Sequence, residues 1–279
     1  MVIKQSLSFL SSMAISNVKS INKNAKIIIL EGNISAGKTF LSTRLGELLN
    51  YKVFLEPTTT NPYLQSFYEN PKKYALDMQL WLLNQRFKTY LLALEYSLVN
   101  DSGVVLDRSV FSDWVFAENC RKEGLISSDG FTQYTTIRNK MISQIPIPNI
   151  TVYLDVTPEQ CLNRIQTLRK REFEQSIPLS YLQGLDGCYK SFLEEIKSKG
   201  SNVVTVDWSK FAEIDTIIKE IKNDRSLPLS EKYLNLINFD DIKQSNGMKN
   251  YLVEELNYLN KETNNSSSSS SSNNTFTKV

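Results

Sequence analysis

The feature that most constrains this chain is the segment KIIILEGNISAGKT at residues 26–39. The apolar run at 26–30 predicts a strand buried on both faces, as in a parallel sheet. The residues that follow, GNISAGKT, have the spacing G-x-x-x-x-G-K-[ST], and a helical pattern continues over 39–49. A strand, a glycine-rich loop and a helix in this order form a phosphate-binding loop. We therefore predict that this segment binds a nucleoside triphosphate.

Each residue type in this loop has a physical reason. Glycines allow a tight turn in which successive backbone N–H groups point at phosphate oxygens. Lys38 adds a positive charge, and Thr39 offers a hydroxyl to Mg²⁺. We expect the ATP-binding residues of the loop to be Gly32, Asn33, Ile34, Ser35, Ala36, Gly37, Lys38 and Thr39. Mg²⁺, bound together with ATP, is the predicted cofactor.

The rest of the chain alternates between strand and helix patterns. Further strands are predicted at 52–55, 104–106, 150–154 and 203–206, and further helices at 73–100, 113–123, 132–144 and 158–168. This alternation is typical of a parallel sheet with right-handed crossovers. With the phosphate loop, it predicts an α/β P-loop NTPase-type three-layer fold, in which helices flank a central parallel sheet.

Composition divides the chain into three parts. Residues 1–24 contain no acidic residue and are expected to be a flexible leader. An acidic-poor amphipathic segment is also typical of mitochondrial targeting, which leaves that alternative open. Residues 25–260 are predicted to form a single domain, although the helical pattern at 228–259 suggests no role. Residues 261–279 include seven consecutive serines and are predicted to be disordered.

Charge and composition exclude several classes of function. The net charge of +2 gives no reason to expect a nucleic-acid partner, and no run approaches the 18 apolar residues of a membrane span. Histidine is absent, which removes Ser-His and Cys-His nucleophile pairs and imidazole metal sites. The three scattered cysteines fit a reducing compartment, so we expect a cytoplasmic protein.

Charged residues follow two of the predicted strands. Ligands bind at the carboxyl ends of parallel strands, and Glu56 follows the second strand there. A carboxylate in that place suits a general base, although a solvated glutamate before a turn fits the position as well. Asp107 and Arg108 follow the third strand. They suit Mg²⁺ binding and stabilisation of transferring charge, or a simple salt-bridged strand end.

Several separated motifs together resemble the deoxyribonucleoside kinase family, in particular the branch acting on deoxyadenosine, deoxyguanosine and deoxycytidine. The resemblance extends from about residue 27 to 208. The motifs are EGNISAGKT, LEP, NPYLQSFYENPKKYALDMQLWLLNQRFK, LDRSVFSDWVFAEN and RKREFEQSIPLSYL. GTPase motifs N-K-x-D and D-x-x-G do not occur in the sequence. The five kinase-like motifs in this order are together far more specific than any single one of them.

The resemblance implies roles for individual residues. Glu56 would be the base on the sugar 5′-hydroxyl, assisted by Arg108, with Mg²⁺ near Thr39 and Asp107. The substrate-binding residues would be Tyr68 and Glu174 at the 3′-hydroxyl, and Gln79, Arg86 and Asp113 at the base. Arg169 and Arg171 would clamp the ATP phosphates from a helical lid. The resemblance also implies a homodimer.

We therefore expect ATP-dependent phosphorylation of a deoxyribonucleoside, with deoxyadenosine preferred. Deoxyguanosine or deoxycytidine is the first alternative, because the amide of Gln79 can both donate and accept hydrogen bonds. A nucleoside monophosphate kinase of the thymidylate type is the second alternative. The third is a non-enzymatic NTP-dependent switch or assembly module.

Overall fold

Five strands form one parallel sheet at the centre of the fold. They are β1 Lys26–Gly32, β2 Lys52–Phe54, β3 Gly103–Asp107, β4 Ile150–Asp155 and β5 Asn202–Asp207. Their order in the sheet is β2-β3-β1-β4-β5, and every neighbouring pair is parallel. The computed structural model describes residues 24–56, 61–169, 174–210, 214–229 and Lys232. All five strands that the sequence predicts are present, within two residues of the predicted ends.

Helices flank this sheet. They are α1 Lys38–Leu49, α2 Leu64–Glu69, α3 Pro71–Asn100, α4 Asp113–Lys122, α5 Ser128–Ile142, α6 Pro158–Arg164, α7 Leu179–Ser198 and α8 Ile214–Lys222. A π-helical turn at Ile165–Arg169 extends α6. The predicted P-loop NTPase-type fold, a central parallel sheet flanked by helices, is confirmed.

The central position of β1 explains its sequence. The apolar residues Ile27, Ile28, Ile29 and Leu30 have no exposed surface, because β1 has strands on both sides and helices over the sheet. From β1 the chain builds one edge of the sheet with β2 and β3, and then the other edge with β4 and β5. Ligands bind at such a reversal of strand order. The phosphate loop follows the strand at which this reversal occurs.

The predicted helices differ from the observed ones in several places. The sequence patterns above do not predict α2, α7 or α8. Helix α5 begins four residues earlier than predicted, because the hydroxyl of Ser127 accepts a hydrogen bond from the backbone N–H of Gly130 and caps it. In α7, Gly184 and Gly187 obscure the helical pattern. Gly184 is needed there, since a Cβ atom would lie 2.1 Å from the side-chain oxygen of Asn119.

Some predictions lie outside the described residues. These concern the leader, where only Asn24 is described, the serine-rich tail at 261–279 and most of the segment 228–259. The described residues belong to one compact unit. The predicted domain boundaries and the cytoplasmic or mitochondrial location stay predictions. Among the described residues, no helix has both the length and the apolar character needed to cross a membrane.

The contact between α1 and β2 depends on a glycine and can be tested. A Cβ atom on Gly46 would lie 2.1 Å from Cγ2 of Val53, so Gly46→Ala forces the phosphate-loop helix away from the sheet. We expect the free energy of unfolding to fall by about 1–3 kcal/mol, as in other overpacked cores.

Gly187→Ala is the matched control, because a Cβ atom at that position would have no other atom within 4 Å. Alanine favours the helix over glycine, so this variant should gain roughly 0.5–1 kcal/mol in urea unfolding. Equal stability gains for both variants would contradict the proposed close contact.

Candidate active site

A cavity of about 770 Å³ brings most of the predicted site residues together. The phosphate loop, the ends of β2 and β3, and helices α2, α3 and α4 all contribute to its wall. The predicted residues that line it are Ile34, Ser35, Gly37, Lys38, Thr39, Glu56, Tyr68, Arg86, Asp107, Arg108 and Glu174. Gln79 and Asp113 are fully buried in the helices that form its wall, α3 and α4.

The phosphate loop has the backbone that its glycines predict. Gly32 has φ 148° and Gly37 has φ 107°, backbone angles that residues other than glycine rarely adopt. A Cβ atom on Gly32 would also lie 3.0 Å from the carbonyl oxygen of Leu154. The Lys38 ammonium donates hydrogen bonds to the carbonyls of Gly32 at 3.1 Å and Asn33 at 2.7 Å. Its burial and the neighbouring Arg108 lower the pKa of Lys38 to about 7.

Thr39 and Asp107 fit the predicted magnesium site. The Thr39 hydroxyl donates to Oδ2 of Asp107 at 2.5 Å, and the buried Oδ1 of Asp107 has no hydrogen-bond partner among the described residues. Hydroxyl and carboxylate oxygens are ligands that Mg²⁺ prefers, and it commonly uses only one or two carboxylates together with substrate phosphates. The residues present therefore suit a magnesium ion that binds with ATP.

Strand register brings Glu56 close to Arg108. Phe54 of β2 pairs with Leu106 of β3, and Glu56 and Arg108 each lie two residues beyond that pair. The two side chains are 3.4 Å apart, from Oε2 to Nε, and Arg86 contacts the other oxygen of Glu56 at 2.5 Å. Burial alone would raise the pKa of Glu56, but the charges of Arg86, Arg108 and Lys38 outweigh it and lower the pKa to about 2. Glu56 is therefore ionised at neutral pH.

Arg86 connects Glu56 to a second buried carboxylate. Its other terminal nitrogen donates to Asp113, and the hydroxyl of Tyr134 donates to the remaining oxygen of Asp113 at 2.6 Å. Burial alone would lower the pKa of Arg86, but the carboxylates of Glu56 and Asp113 outweigh it and raise the pKa. Tyr134 was not predicted from the sequence. Its position on α5, far along the chain from Asp113, leaves no local pattern to find.

Gln79 has an unusual environment for a polar side chain. It has no exposed surface, and neither its amide oxygen nor its amide nitrogen has a hydrogen-bond partner among the described residues. The buried Nε of Arg86, one of the residues lining the cavity, likewise has none there. Buried polar groups without partners are rare, and each requires an explanation. These donors and acceptors suit a ligand with complementary polar edges.

Arg108 lies at the meeting point of the loop and the strand ends. Its guanidinium donates to the carbonyl of Gly32 at 3.1 Å and to the hydroxyl of Tyr189, and it lies 4.7 Å from the ring centre of Phe116. Phe116 lines the cavity. Phe111 is nearer to Arg108 along the chain, but it packs against Tyr90 instead. Tyr189 and Phe116 were not identified from the sequence, because helical spacing alone does not distinguish cavity residues from core residues.

The predicted lid is only partly described. The backbone of Arg169 ends the π-helical turn, and Arg171 lies outside the described residues. Arg164, at the start of the same basic stretch, is buried and donates to the carbonyl of Ala36 at 2.9 Å and to that of Trp208 at 2.9 Å. It therefore connects α6 to the phosphate loop. The ATP-clamping roles of Arg169 and Arg171 stay predictions.

Several known proteins are similar in sequence to this chain. A deoxyguanosine kinase of Dictyostelium discoideum is 65% identical over 211 residues, which cover 76% of this chain and 74% of that protein. A deoxyadenosine kinase of the same organism is 33% identical over a region that covers 82% of this chain and 90% of that protein. An NADH dehydrogenase [ubiquinone] 1 alpha subcomplex subunit 10 of Bos taurus is 32% identical over a region that covers 65% of this chain and 59% of that protein.

Solved structures show the same fold. A deoxyadenosine kinase from M. mycoides with the products dCMP and a flexible dCDP has a TM-score of 0.59 and 25% identity, with 71% of this chain and 96% of that chain covered. The same enzyme with bound dATP has a TM-score of 0.63. The sequence profile described as deoxynucleoside kinase matches residues 28–226. With its phosphate loop and buried carboxylate in one cavity, this chain belongs to the deoxynucleoside kinase family.

Proposed function

We propose that this deoxynucleoside kinase transfers the γ-phosphoryl group of ATP to the 5′-hydroxyl of deoxyguanosine. The observation that carries the reaction is the ionised carboxylate of Glu56 in the same cavity as the phosphate loop. The identity of 65% with a deoxyguanosine kinase, against 33% with a deoxyadenosine kinase, favours deoxyguanosine over the deoxyadenosine that the sequence analysis preferred.

The chemistry of the buried polar groups also favours guanine. The Nε–H of Arg86 is a buried donor without a partner among the described residues, and we expect a base bound in the adjoining cavity to supply its acceptor. Guanine presents the acceptors O6 and N7 on one edge, whereas adenine presents a donating N6 amine beside N7. An amine facing a guanidinium would leave two donors opposed. Gln79 can satisfy either purine, because its amide both donates and accepts.

The reaction assigns separate tasks to the residues of the cavity. Lys38 and the loop N–H groups hold the donor phosphates, with Thr39 and Asp107 as ligands for Mg²⁺. When bound, the ion neutralises charge on the β- and γ-phosphate oxygens. Arg108 stabilises the transferring group, and Arg169 and Arg171 add to this from the lid.

Glu56 accepts the proton of the 5′-hydroxyl in this scheme. A carboxylate with a pKa of about 2 is ionised but weakly basic. We therefore expect the proton to move late, when bonding to phosphorus has made the hydroxyl more acidic. Tyr68 and Glu174, which also line the cavity, hold the 3′-hydroxyl. Most of the acceleration comes from positioning and charge stabilisation.

Two rival functions make different demands on the site. A nucleoside monophosphate kinase would place its acceptor phosphate beside the ionised Glu56, which would repel it, whereas a neutral hydroxyl benefits from it. An assembly role is the other rival, since one relative of this chain is a NADH dehydrogenase subunit. The absence of nucleoside-dependent ADP release with every nucleoside tested would favour that role.

We also propose the homodimer that the family resemblance implies. Leu92, Tyr96 and Val99 lie along one side of α3 at spacings of four and three residues, and all three are exposed. Exposed apolar residues at this spacing suit helix–helix association. A second copy of this chain is the partner that we expect to cover them.

The substrate preference can be measured directly. With ATP fixed, we expect kcat/KM for deoxyguanosine to exceed that for deoxyadenosine by roughly tenfold, the effect of about one good polar contact. Deoxycytidine and thymidine should be slower still. Deoxyadenosine as the best of the four substrates would contradict the assignment, and activity confined to deoxynucleoside monophosphates would support the monophosphate kinase.

The role of Glu56 predicts a selective loss of turnover. Glu56→Gln should keep nucleoside binding but lower kcat by at least ~10²-fold, because the amide cannot accept the proton. Glu118→Gln is the matched control. It removes a carboxylate that pairs with Arg121 at 2.7 Å and does not line the cavity, so its kcat should stay at the wild-type value. Near-normal turnover in Glu56→Gln excludes the proposed base.

Loss of the Tyr134 hydroxyl should change the KM for the nucleoside but not the KM for ATP. Tyr134→Phe leaves one oxygen of Asp113 without its hydrogen bond, so we expect KM for deoxyguanosine to rise by about tenfold, since hydrogen bonds to charged groups contribute about 1.5–3 kcal/mol. Tyr90→Phe removes another buried hydroxyl, which donates to Pro146 at 2.8 Å, and should leave both KM values unchanged. A rise in KM for ATP alone would place Tyr134 elsewhere in the mechanism.

A further inference from the structure

Glu31 is a buried carboxyl to which the proposed reaction assigns no task. It lies in β1 immediately before Gly32, and it has no exposed surface. Its Oε1 accepts a hydrogen bond from the hydroxyl of Ser109 at 2.9 Å, and a side-chain hydrogen bond with Ser112 also acts to lower the pKa of the carboxyl. A buried carboxyl is costly unless it is compensated. Its location beneath the loop therefore needs a reason.

Three successive residues of β1 hold the turn that carries Arg108. The carbonyl of Leu30 accepts from the backbone N–H of Arg108 at 3.0 Å. The side chain of Glu31 accepts from Ser109, and the carbonyl of Gly32 accepts from the guanidinium of Arg108 at 3.1 Å. Of these three contacts, the one made by Glu31 depends on a side chain of β1, whereas the other two use its backbone.

Arg108 needs this support because its backbone is strained. It has φ 68°, a left-handed conformation that residues other than glycine rarely adopt, and such residues persist only when surrounding contacts hold them. The contact of Glu31 with Ser109 lies directly after the strained residue. Without it, the turn would lose one of the contacts that hold Arg108 beside Glu56.

Ser109 also connects this turn to the start of helix α4. The Ser109 hydroxyl, which donates to Glu31, accepts from the backbone N–H of Ser112 at 3.4 Å. Ser112 immediately precedes α4, whose first residue is Asp113. Glu31 is thereby connected to Arg108 on one side and to the helix that carries Asp113 on the other.

Hydrogen-bond acceptance, rather than full negative charge, is the property of Glu31 that this arrangement uses. Burial raises the pKa of Glu31 to about 7, although Arg108 opposes the effect. Near neutral pH the carboxyl is therefore protonated in a large fraction of molecules. A neutral side chain of the same shape that keeps the acceptor oxygen should replace it.

We propose that Glu31 is a positioning residue, whose hydrogen bond with Ser109 fixes the turn at residues 107–113 so that Arg108 faces Glu56 and the phosphate loop. The inference rests on the proposed function, in which Arg108 assists phosphoryl transfer. Nucleoside-dependent ADP release by the wild-type protein tests that function separately. The variants below are compared with the wild-type rate.

The test compares kcat, both KM values and thermal stability in four variants of the full chain. Glu31→Gln keeps the acceptor oxygen, Glu31→Met removes it, and Ser109→Ala removes the donor. The double variant Glu31→Met/Ser109→Ala completes a cycle. Thr151→Val is the control: it removes a fully buried hydroxyl of the neighbouring strand β4, which pairs with Ser201 at 2.8 Å.

We expect Glu31→Met and Ser109→Ala each to lower kcat by about tenfold, in line with the cost of small misplacements, with KM for ATP within about threefold of wild type. The double variant should fall no further than the worse single variant, and Glu31→Gln should retain most of kcat. Thr151→Val should lose stability but not kcat.

Three results in these variants, and one in the control, would overturn the inference. These are multiplicative losses in the double variant, a loss in Glu31→Gln equal to that in Glu31→Met, or wild-type kcat in Ser109→Ala. If Glu31→Met does not fold, Ser109→Ala and Glu31→Gln still decide the matter. A loss of kcat in Thr151→Val equal to that in Ser109→Ala would reduce the effect to general destabilisation.

Discussion

The pairing of β2 with β3 is the constraint on which the site depends, because it sets a carboxylate and a guanidinium side by side beyond the sheet. Phe54 opposite Leu106 places Glu56 beside Arg108, and Arg86 completes the ion pairs. Without these cations, burial would protonate Glu56 and deprive it of any use as a base. Breaking a buried ion pair by removing one partner is also strongly destabilising.

The ion pairs make the two halves of the site interdependent. Arg86 contacts both Glu56, near the phosphate loop, and Asp113, which also accepts a hydrogen bond from Tyr134. In the proposed function, a purine that engages Arg86 would therefore also influence the environment of Glu56. This arrangement offers a physical reason for the proposed recognition of the base by a charged pair instead of by neutral amides alone.

Features encoded by short local patterns were predictable, and features created by tertiary contact were not. The apolar run at 26–30, the glycine spacing at 32–39 and the charged residues after the second and third strands predicted the sheet, the loop and the position of Glu56. Helix α7 was not predicted, because Gly184 is a poor helix former. The residue allows close contact with Asn119, which the sequence pattern does not reveal. Tyr134 and Glu31 contact residues that are distant in sequence. The proposed preference for guanine was not predicted from the sequence because the amide of Gln79 suits either purine.

The most direct measurement is a crystal structure with deoxyguanosine and a non-hydrolysable ATP analogue. The account predicts that a carboxylate oxygen of Glu56 lies within about 3 Å of the 5′-oxygen, or reaches it through one water, with the triphosphate held by the loop N–H groups. A 5′-oxygen separated from Glu56 by more than one bridging water, or a purine that makes no contact with Arg86 or Gln79, would contradict it.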